Sequence, residues 1–278
     1  NRRSRGLGDV YKRQNYMCGI VGYIGHRDAY PIIIKGLKRL EYRGYDSAGI
    51  TLFGDKNVVV KTKGKVSDLE LIAASNSSKG NTIGMGHTRW ATHGTPSDLN
   101  SHPHLSNSGK IAIVHNGIIE NYASLKKMLL DNGFDFKSDT DTEVLVNLIE
   151  FIKTSQNVKV GKAVQIALTQ VVGAYAIAVI DEDRPDEVVV AKLGSPLAIG
   201  IGKDEYFIAS DASPFIEYTK RTIYLDDNEM AVISREQGFK MYSITSDKAI
   251  TPIIQDIQLS LETIETVSYT HLRAHETF

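Results

Sequence analysis

Residues 18–25 have the sequence CGIVGYIG, a short apolar stretch interrupted by glycines. A run of this kind is typical of a buried β-strand. It begins at Cys18, the only cysteine in the chain, directly after Met17. Removal of the methionine would leave Cys18 with a thiol nucleophile and an α-amine whose reference pKa of about 8 suits a general base. Taken alone, however, a single cysteine is more often a buried apolar side chain.

Outward from this strand, the sequence pattern predicts helices and strands in alternating groups. Asp28 is placed to cap a helix over residues 29–40, in which Ile33, Leu37 and Leu40 share one face. Further helices are predicted over 68–74, 120–132, 142–153 and 160–171, with a short helical interruption at 211–216. The predicted strands are 49–53, 57–62, 82–89, 110–115, 175–180, 187–191, 197–201, 206–209, 229–233 and 240–243. This order indicates an α+β domain with at least two sheet layers and helices packed outside them.

The composition excludes several classes of protein. The chain has 278 residues, of which 42% are hydrophobic and 23% charged, as in ordinary globular domains. Its 32 basic residues nearly balance its 33 acidic ones, so there is no charge signature of nucleic-acid binding. No apolar run approaches the roughly 20 residues that a membrane helix needs. We therefore expect a soluble cytoplasmic protein without a nucleic-acid or membrane partner.

The two ends of the chain differ from its middle. Residues 1–17 are basic and contain no apolar stretch of the kind found in secretory signals. Residues 266–278 show no periodicity either. We expect residues 1–17 to be a non-native or removed leader, Met17 to be the start, and residues 266–278 to be a non-native tail.

Residues 87–94, HTRWATHG, are dense in functional side chains and follow a predicted strand. Arg89 offers a planar guanidinium fork that suits a carboxylate. Trp90, the only tryptophan in the chain, suits the wall or lid of a pocket. The alternative is a packed loop with a structural salt bridge, but a charged, aromatic loop of this density favours a binding site.

Residues 115–117, His-Asn-Gly, end the predicted strand over 110–115. The Asn116 side chain can donate hydrogen bonds, and Gly117 allows its backbone N–H to approach a ligand, so the pair could form an oxyanion hole. Asn-Gly is equally the strongest short signal for a hairpin turn. From the residues alone the two interpretations are evenly balanced.

Two further segments have both a structural and a functional interpretation. Residues 138–143, SDTDTE, suit the capped start of a helix, which is the stronger interpretation, or could offer an aspartate to an ammonium group. Residues 42–49, YRGYDSAG, suit a simple turn or could bring Arg43 to a catalytic residue.

No motif indicates a cofactor. His93, His102 and His104 match no metal-ligand spacing, and neither GxGxxG nor a P-loop occurs in the chain. The sequence therefore predicts no metal and no organic cofactor.

In one chain and in this order, the motifs resemble a known family. They are CGIVG at 18–22, LEYRGYDSAG at 40–49, HTRWATHG at 87–94, NSHPH at 100–104, HNGIIEN at 115–121, SDTDTE at 138–143, GSPLAIGIG at 194–202 and FIASDASPF at 207–215. They resemble the glutaminase domain, a class II glutamine amidotransferase, of the glutamine–fructose-6-phosphate aminotransferases (isomerizing), or glucosamine-6-phosphate synthases. The resemblance implies a four-layer αββα sandwich of the N-terminal nucleophile hydrolase type.

The resemblance also implies a role for each matching residue. Cys18 would be the nucleophile with its α-amine as base, and Arg43 would lie near it. Asn116 and Gly117 would form the oxyanion hole. The substrate-binding residues would be Arg89 for the carboxylate of L-glutamine, Asp141 for its amine, Thr92 and His93 in the same pocket, and Trp90 as the gate for ammonia.

The same resemblance implies the domain organisation and partners. Residues 18–250 would be the glutamine amidotransferase domain, and residues 251–265 would begin a linker to two sugar-isomerase domains that bind fructose 6-phosphate and are absent here. The full-length enzyme would be a homo-oligomer. The alternatives are an amidophosphoribosyltransferase-like glutaminase domain and a glutamine-binding module without turnover.

Overall fold

The computed structural model describes residues 18–54, 57–76 and 80–257. The predicted leader at 1–17, the predicted tail at 266–278 and the end of the predicted linker, residues 258–265, lie outside these residues. In the part of the chain that is described, no helix is both long and apolar enough to cross a membrane.

Two antiparallel sheets form the centre of the molecule. Their strands are β1 (Gly19–Ile24), β2 (Ser47–Phe53), β3 (Val58–Lys63), β4 (Ile83–Arg89), β5 (His104–Leu105), β6 (Ile111–Ile119), β7 (Gly173–Asp181), β8 (Glu187–Leu193), β9 (Ala198–Ile201), β10 (Tyr206–Ala209), β11 (Arg221–Tyr224), β12 (Glu229–Ser234), β13 (Gly238–Ser243), β14 (Ala249–Ile250) and β15 (Gln255–Asp256). The first sheet has the strand order β15-β11-β9-β10-β1-β4-β2-β3, and the second has the order β14-β13-β12-β8-β7-β6-β5.

Helices cover the outer face of each sheet. They are α1 (Ala29–Leu40), α2 (Val66–Asn76), α3 (Tyr122–Asp131), α4 (Asp141–Ser155) and α5 (Val160–Thr169). Helices α1 and α2 share an apolar core with the first sheet, and α3, α4 and α5 share one with the second sheet. A third core lies between the sheets. The layers are therefore helix, sheet, sheet and helix, and the expected αββα sandwich is confirmed.

The strand at 18–25 is apolar throughout because both of its faces are buried. Ile20 and Ile24 of β1 belong to the core between the sheets, whereas Val21 and Tyr23 face α1. Alternate side chains of a strand point to opposite faces, so a strand in the middle of a sandwich has no polar side. The neighbouring β4 carries Gly86, where a Cβ atom would lie 2.6 Å from Ile33 of α1. Because glycine has no side chain, α1 can pack closely against the first sheet at this position.

Two local predictions are wrong, and four strands were not predicted. Asp28 does not cap α1 with its side chain; its Oδ1 accepts from the backbone N–H of Gly80 at 2.8 Å, and Asn81 supplies the carbonyl for the helix start. The predicted helix at 211–216 is a series of turns. The strands β5, β11, β14 and β15 were not predicted; they have two to four residues each and pair with β6, β9, β13 and β11.

The domain continues past the boundary predicted at residue 250. Strand β15 pairs with β11 through Arg221 opposite Asp256, and the N–H of Ile257 donates to the carbonyl of Lys220 at 2.9 Å. Residues 255 and 256 are therefore part of the first sheet, and residue 257 is bonded to the chain just before β11.

Candidate active site

Cys18 lies directly before β1, the strand that stands next to β4 in the first sheet. Gly19 is opposite Thr88 in this pairing, which brings Cys18 beside the residues that follow Arg89. The backbone N–H of Trp90 donates to the Cys18 Sγ at 3.2 Å, and the Sγ lies 3.5 Å from the Trp90 carbonyl oxygen. The pairing of β1 with β4 thus fixes the thiol against the HTRWATHG segment.

The surroundings of Cys18 keep its thiol protonated at rest. Burial of the sulfur raises the pKa of the Cys18 thiol, while the Trp90 backbone N–H and the Arg89 charge oppose this shift without cancelling it. The nearby Asp46 carboxylate raises the pKa further. Because the thiolate is the reactive form, a base must remove this proton before Cys18 can attack.

Arg89 ends β4 and is only 4% exposed. Its Nη2 donates to the carbonyl oxygens of His93 and Gly94, the latter at 3.3 Å. Its Nη1 is buried and has no hydrogen-bond partner among the described residues. A buried charged donor without a partner is costly, and a carboxylate is the group that best satisfies a guanidinium.

Asp141 is the first residue of α4, and the SDTDTE segment forms the predicted cap of this helix. Thr140 caps the helix by accepting from the Glu143 N–H, and the Glu143 carboxylate accepts from the backbone N–H of Ser138 at 2.6 Å. Asp141 is 4% exposed, and its Oδ2 accepts from the Ile119 N–H at 2.8 Å. The cap therefore positions a buried carboxylate at the end of β6.

Asn116 and Gly117 lie inside a strand and do not form a hairpin turn. Strand β6 continues to Ile119, paired with β7 throughout. Gly117 has φ +133°, and a Cβ atom there would lie 2.0 Å from the Ala174 carbonyl oxygen. Only glycine fits this conformation and this close approach. The strand itself therefore requires glycine at position 117, and the Asn-Gly pair does not mark a turn here.

The direction of the Gly117 N–H follows from its neighbours along β6. Backbone N–H groups of an antiparallel strand alternate between its two edges. The His115 N–H donates to Nδ1 of His102 at 3.2 Å, and the Ile119 N–H donates to Asp141. Gly117 lies midway between these residues, so its N–H points to the same edge.

The Asn116 side chain lies against Cys18 from the other sheet. Its Nδ2 donates to the Cys18 carbonyl oxygen at 3.0 Å and to the Ser210 Oγ at 2.9 Å. Both N–H groups are thus engaged, and donation to an oxyanion requires one of them to turn or to be shared.

Two cavities flank the thiol. The smaller, of about 10 Å³, is lined by Cys18, Arg89, Trp90, Thr92, His102, His115, Gly117, Thr140, Asp141 and Thr142. The larger, of about 190 Å³, is lined by Cys18, Arg43, Trp90, Thr92, Asn116, Gly117, Ile118, Ser195 and Pro196. A space of about 10 Å³ holds one water molecule at most, so binding of an amino acid requires the lining side chains to move. Trp90, which lines both cavities, is 40% exposed.

The structure brings most of the predicted residues to this place, with two qualifications. His93 contacts Arg89 through its carbonyl oxygen, but its ring packs against Tyr122 at 5.2 Å and does not line either cavity. Arg43 lines the larger cavity, yet its Nη1 pairs with Asp211 at 3.0 Å. Tyr122 and Asp211 thus determine where His93 and Arg43 lie, and the sequence did not predict either contact.

Other residues at the site were missed by sequence reasoning. Ser210 accepts from both Asn116 and the Ile20 N–H. Asp46 accepts from the Ala91 N–H. Ser195 and Pro196 line the larger cavity. All four residues lie in the motifs at 40–49, 194–202 and 207–215 that resemble the family. Their residue types alone did not indicate that they would contact the site.

A more spacious cavity lies away from Cys18. Its volume is about 470 Å³, and it lies between α5 and strands β12 and β13. It contains none of the predicted site residues. Within residues 18–54, 57–76 and 80–257, no cluster of three His, Cys, Asp or Glu side chains could hold a metal ion.

Comparison with known proteins identifies the family. A family profile described as a glutamine amidotransferase domain matches residues 73–255. The glutamine–fructose-6-phosphate aminotransferase (isomerizing) of Bacteroides thetaiotaomicron is 54% identical over 264 residues, and that of Chlorobaculum tepidum is 49% identical over 267. Each match covers 94% of this chain and 43% of the relative.

A solved structure shares the fold. The glutamine phosphoribosylpyrophosphate amidotransferase from B. subtilis superposes with a TM-score of 0.71 and 30% identity, covering 82% of this chain and 50% of that one. The fold is the αββα sandwich of the N-terminal nucleophile hydrolases, with a cysteine at the start of a central strand. Within that class, the chain belongs to the glutamine amidotransferase domain family.

Proposed function

We propose that this chain hydrolyses L-glutamine to glutamate and ammonia, as the glutaminase domain of a glutamine–fructose-6-phosphate aminotransferase. The observation that carries the proposal is that Cys18, Arg89, Gly117 and Asp141, from four separate parts of the sequence, line one cavity. The Arg89 Nη1 would bind the α-carboxylate of glutamine, and the Asp141 carboxylate would bind its α-ammonium group. These two contacts would place the side-chain carboxamide at the Cys18 Sγ.

The proposed reaction has two stages. The α-amine of Cys18, when Cys18 is the first residue, takes the thiol proton, and the Sγ attacks the carboxamide carbon. The tetrahedral intermediate then expels ammonia, which receives the proton from the α-ammonium group. Water attacks the resulting γ-glutamyl thioester, which releases glutamate and restores the thiol. The scheme requires no metal or organic cofactor.

Two donors would stabilise the negative oxygen of the tetrahedral intermediate. The Gly117 N–H points to the cavity side of β6, and the Asn116 Nδ2 lies against Cys18. Preorganised donors aimed at developing charge are commonly the largest contribution to catalysis of this kind. Arg43 and Thr92 would shape the space around the carboxamide, and His93 would act through its carbonyl oxygen on Arg89.

The acceptor part of the proposal concerns the longer protein. This chain spans 43% of the length of the first two relatives, and those relatives are named for fructose 6-phosphate. Fructose 6-phosphate would bind in the part not represented here, with Trp90 controlling the passage of ammonia towards it. We also propose that the longer protein is a cytoplasmic homo-oligomer. This chain alone is expected to make no glucosamine 6-phosphate.

Two other functions differ in measurable ways. An amidophosphoribosyltransferase-like domain would hydrolyse glutamine equally well but would serve a different acceptor; the higher identity of the aminotransferase relatives favours fructose 6-phosphate. A glutamine-binding module would keep Arg89 and Asp141 but release no ammonia.

The test is ammonia release by the chain with Cys18 as its first residue. We expect ammonia and glutamate in equal amounts from L-glutamine. Glutamine α-amide, which lacks the free carboxylate, should be a poor substrate. Binding of glutamine without any release of ammonia would support the binding module and overturn the proposal.

Replacement of Arg89 by lysine is expected to raise the KM for glutamine roughly 10- to 100-fold, the effect of losing a charge-assisted hydrogen bond. A lysine ammonium cannot hold the His93 and Gly94 carbonyls and still present a separate donor to the substrate carboxylate, as the guanidinium does. Arg184→Lys, at a part-exposed ion pair with Glu187, is the matched control and should leave KM unchanged. An unchanged KM in Arg89→Lys would show that Arg89 only supports the loop.

Replacement of Asn116 by alanine is expected to lower kcat roughly 10²–10³-fold, as the loss of one oxyanion donor does elsewhere. The KM should change little, because the contact matters mainly in the transition state. Asn121→Ala removes a hydrogen bond to the Gln170 carbonyl outside both cavities and should leave kcat intact. A raised KM with normal kcat in Asn116→Ala would make Asn116 an ordinary substrate contact.

A further inference from the structure

We propose that His87 is a positioning residue: its Nε2–H fixes the side-chain amide of Asn116 so that the nitrogen of that amide faces Cys18. The inference rests on the proposed role of Asn116 as an oxyanion donor. It assigns a purpose to a buried histidine of β4 that lines neither of the two cavities beside the thiol.

The orientation of the Asn116 amide follows from its partners. One end of the amide lies 3.0 Å from the Cys18 carbonyl oxygen, which can only accept a hydrogen bond. That end must therefore be the NH₂ group. The same nitrogen lies 2.9 Å from the Ser210 Oγ, which also accepts from the Ile20 N–H at 2.8 Å.

The other end of the amide decides which ring nitrogen of His87 carries the proton. The Asn116 Oδ1 lies 2.8 Å from the His87 Nε2. Because Oδ1 can only accept, Nε2 must donate. Burial lowers the pKa of His87 to about 3, so the ring is neutral and holds a single proton, which this contact places on Nε2.

The His87 ring is held rigidly enough to set the position of another side chain. His87 is 1% exposed, and its ring stacks on that of His102 with centroids 4.2 Å apart. His102 is fixed in turn, since its Nδ1 accepts from the His115 N–H of β6 at 3.2 Å. The His87–Asn116 hydrogen bond thus connects β4 of the first sheet to β6 of the second, directly behind the thiol.

The arrangement predicts how kcat changes when the Nε2–H donor of His87 is removed. With no N–H opposite Oδ1, the Asn116 amide can rotate, and its N–H groups would no longer be held on the Cys18 side. Since removing an oxyanion donor altogether costs roughly 10²–10³ in kcat, a donor that is present but less well held should cost less. We expect a decrease in kcat of roughly 10-fold, with little change in KM.

The experiment compares His87→Phe, which keeps a ring but has no donor, with His87→Gln, whose Nε2 can still donate. We expect His87→Phe to lower kcat roughly 10-fold and His87→Gln to restore most of it. Gln165→Leu is the control for stability, because Gln165 is also buried and donates to the Ser243 carbonyl at 3.2 Å, away from Cys18. Equal losses of kcat in Phe and Gln variants would overturn the proposal.

A double variant tests whether His87 acts through Asn116. If it does, His87→Phe should lower kcat no further once Asn116 is alanine, so the two effects will not add. Independent, additive losses would overturn the proposal. Failure of the proposed function looks different: the chain that begins at Cys18, with His87 and Asn116 unchanged, would then release no ammonia at all.

A measurement on the unmodified chain avoids the chance that a variant does not fold. The ¹⁵N chemical shifts of the His87 ring distinguish the two neutral tautomers. We expect the proton on Nε2 at neutral pH. A proton on Nδ1, or a doubly protonated ring, would overturn the proposal.

Discussion

Replacing Cys18 by alanine is expected to abolish glutamine hydrolysis, with a loss in kcat of roughly 10⁴–10⁶-fold, as when the nucleophile of a hydrolase is removed. The effect should be this large because Cys18 is the only cysteine in the chain. The measurement is ammonia release from purified protein under saturating glutamine.

The same variant should still bind glutamine. Its proposed binding contacts come from Arg89 and Asp141, which are held by the loop carbonyl of His93 and by the Ile119 N–H. Calorimetric titration with glutamine and a thermal unfolding curve provide the controls. Turnover near that of the unmodified chain, in protein whose mass confirms the substitution, would remove Cys18 as the nucleophile.

A chain in which residue 17 is still joined to Cys18 is expected to hydrolyse glutamine roughly 10²–10⁴-fold more slowly than one that begins at Cys18, the usual contribution of a general base. The raised pKa of the Cys18 thiol means that attack depends on a base. When the α-amine is part of a peptide bond, it cannot accept a proton at neutral pH.

Two forms of the chain make this comparison. The first retains residues 1–17, and the second starts at Met17 and loses that methionine during expression. Intact-mass determination must accompany each rate, because cleavage before Cys18 would convert the first form into the second. Equal rates from the two forms, with the leader shown to be intact, would require a different base.

The sequence predicts most of the longer strands and helices well because they carry strong local patterns, while the four-layer sandwich was implied by the resemblance. Helix α1 occupies residues 29–40 as predicted, since Ile33, Leu37 and Leu40 repeat at helical spacing and bury one face. Strand β1 was recognisable because both of its faces are buried, which makes it continuously apolar. Segments of this kind can be recognised from their own residues, without knowledge of the helices and strands that pack against them.

The short edge strands could not be predicted in the same way. Strands β14 and β15 have two residues each and are held only by pairing with β13 and β11. Their residues have no periodicity long enough to detect. The partner strand, and not the local sequence, determines that they are extended.

Within the candidate site, the sequence motifs indicated which residues lie near Cys18, but they did not predict the hydrogen bonds that these residues make. Asn116 and Gly117 lie beside Cys18 in the structure. Whether they form a turn or a strand depends on Ala174 in β7, which no local pattern reveals. The roles of His87 and Ser210 were likewise hidden, because hydrogen bonds between β4, β6 and the end of β10 join residues that are distant in sequence.

The central claim is that Cys18 forms a covalent bond with the substrate. Rapid acid quenching of a single turnover, followed by mass spectrometry of the peptide that contains Cys18, tests it most directly. The account predicts that this peptide gains one γ-glutamyl group during turnover and loses it when the glutamine is exhausted. A completed turnover with no such adduct, or with the γ-glutamyl group on another residue, would contradict the account.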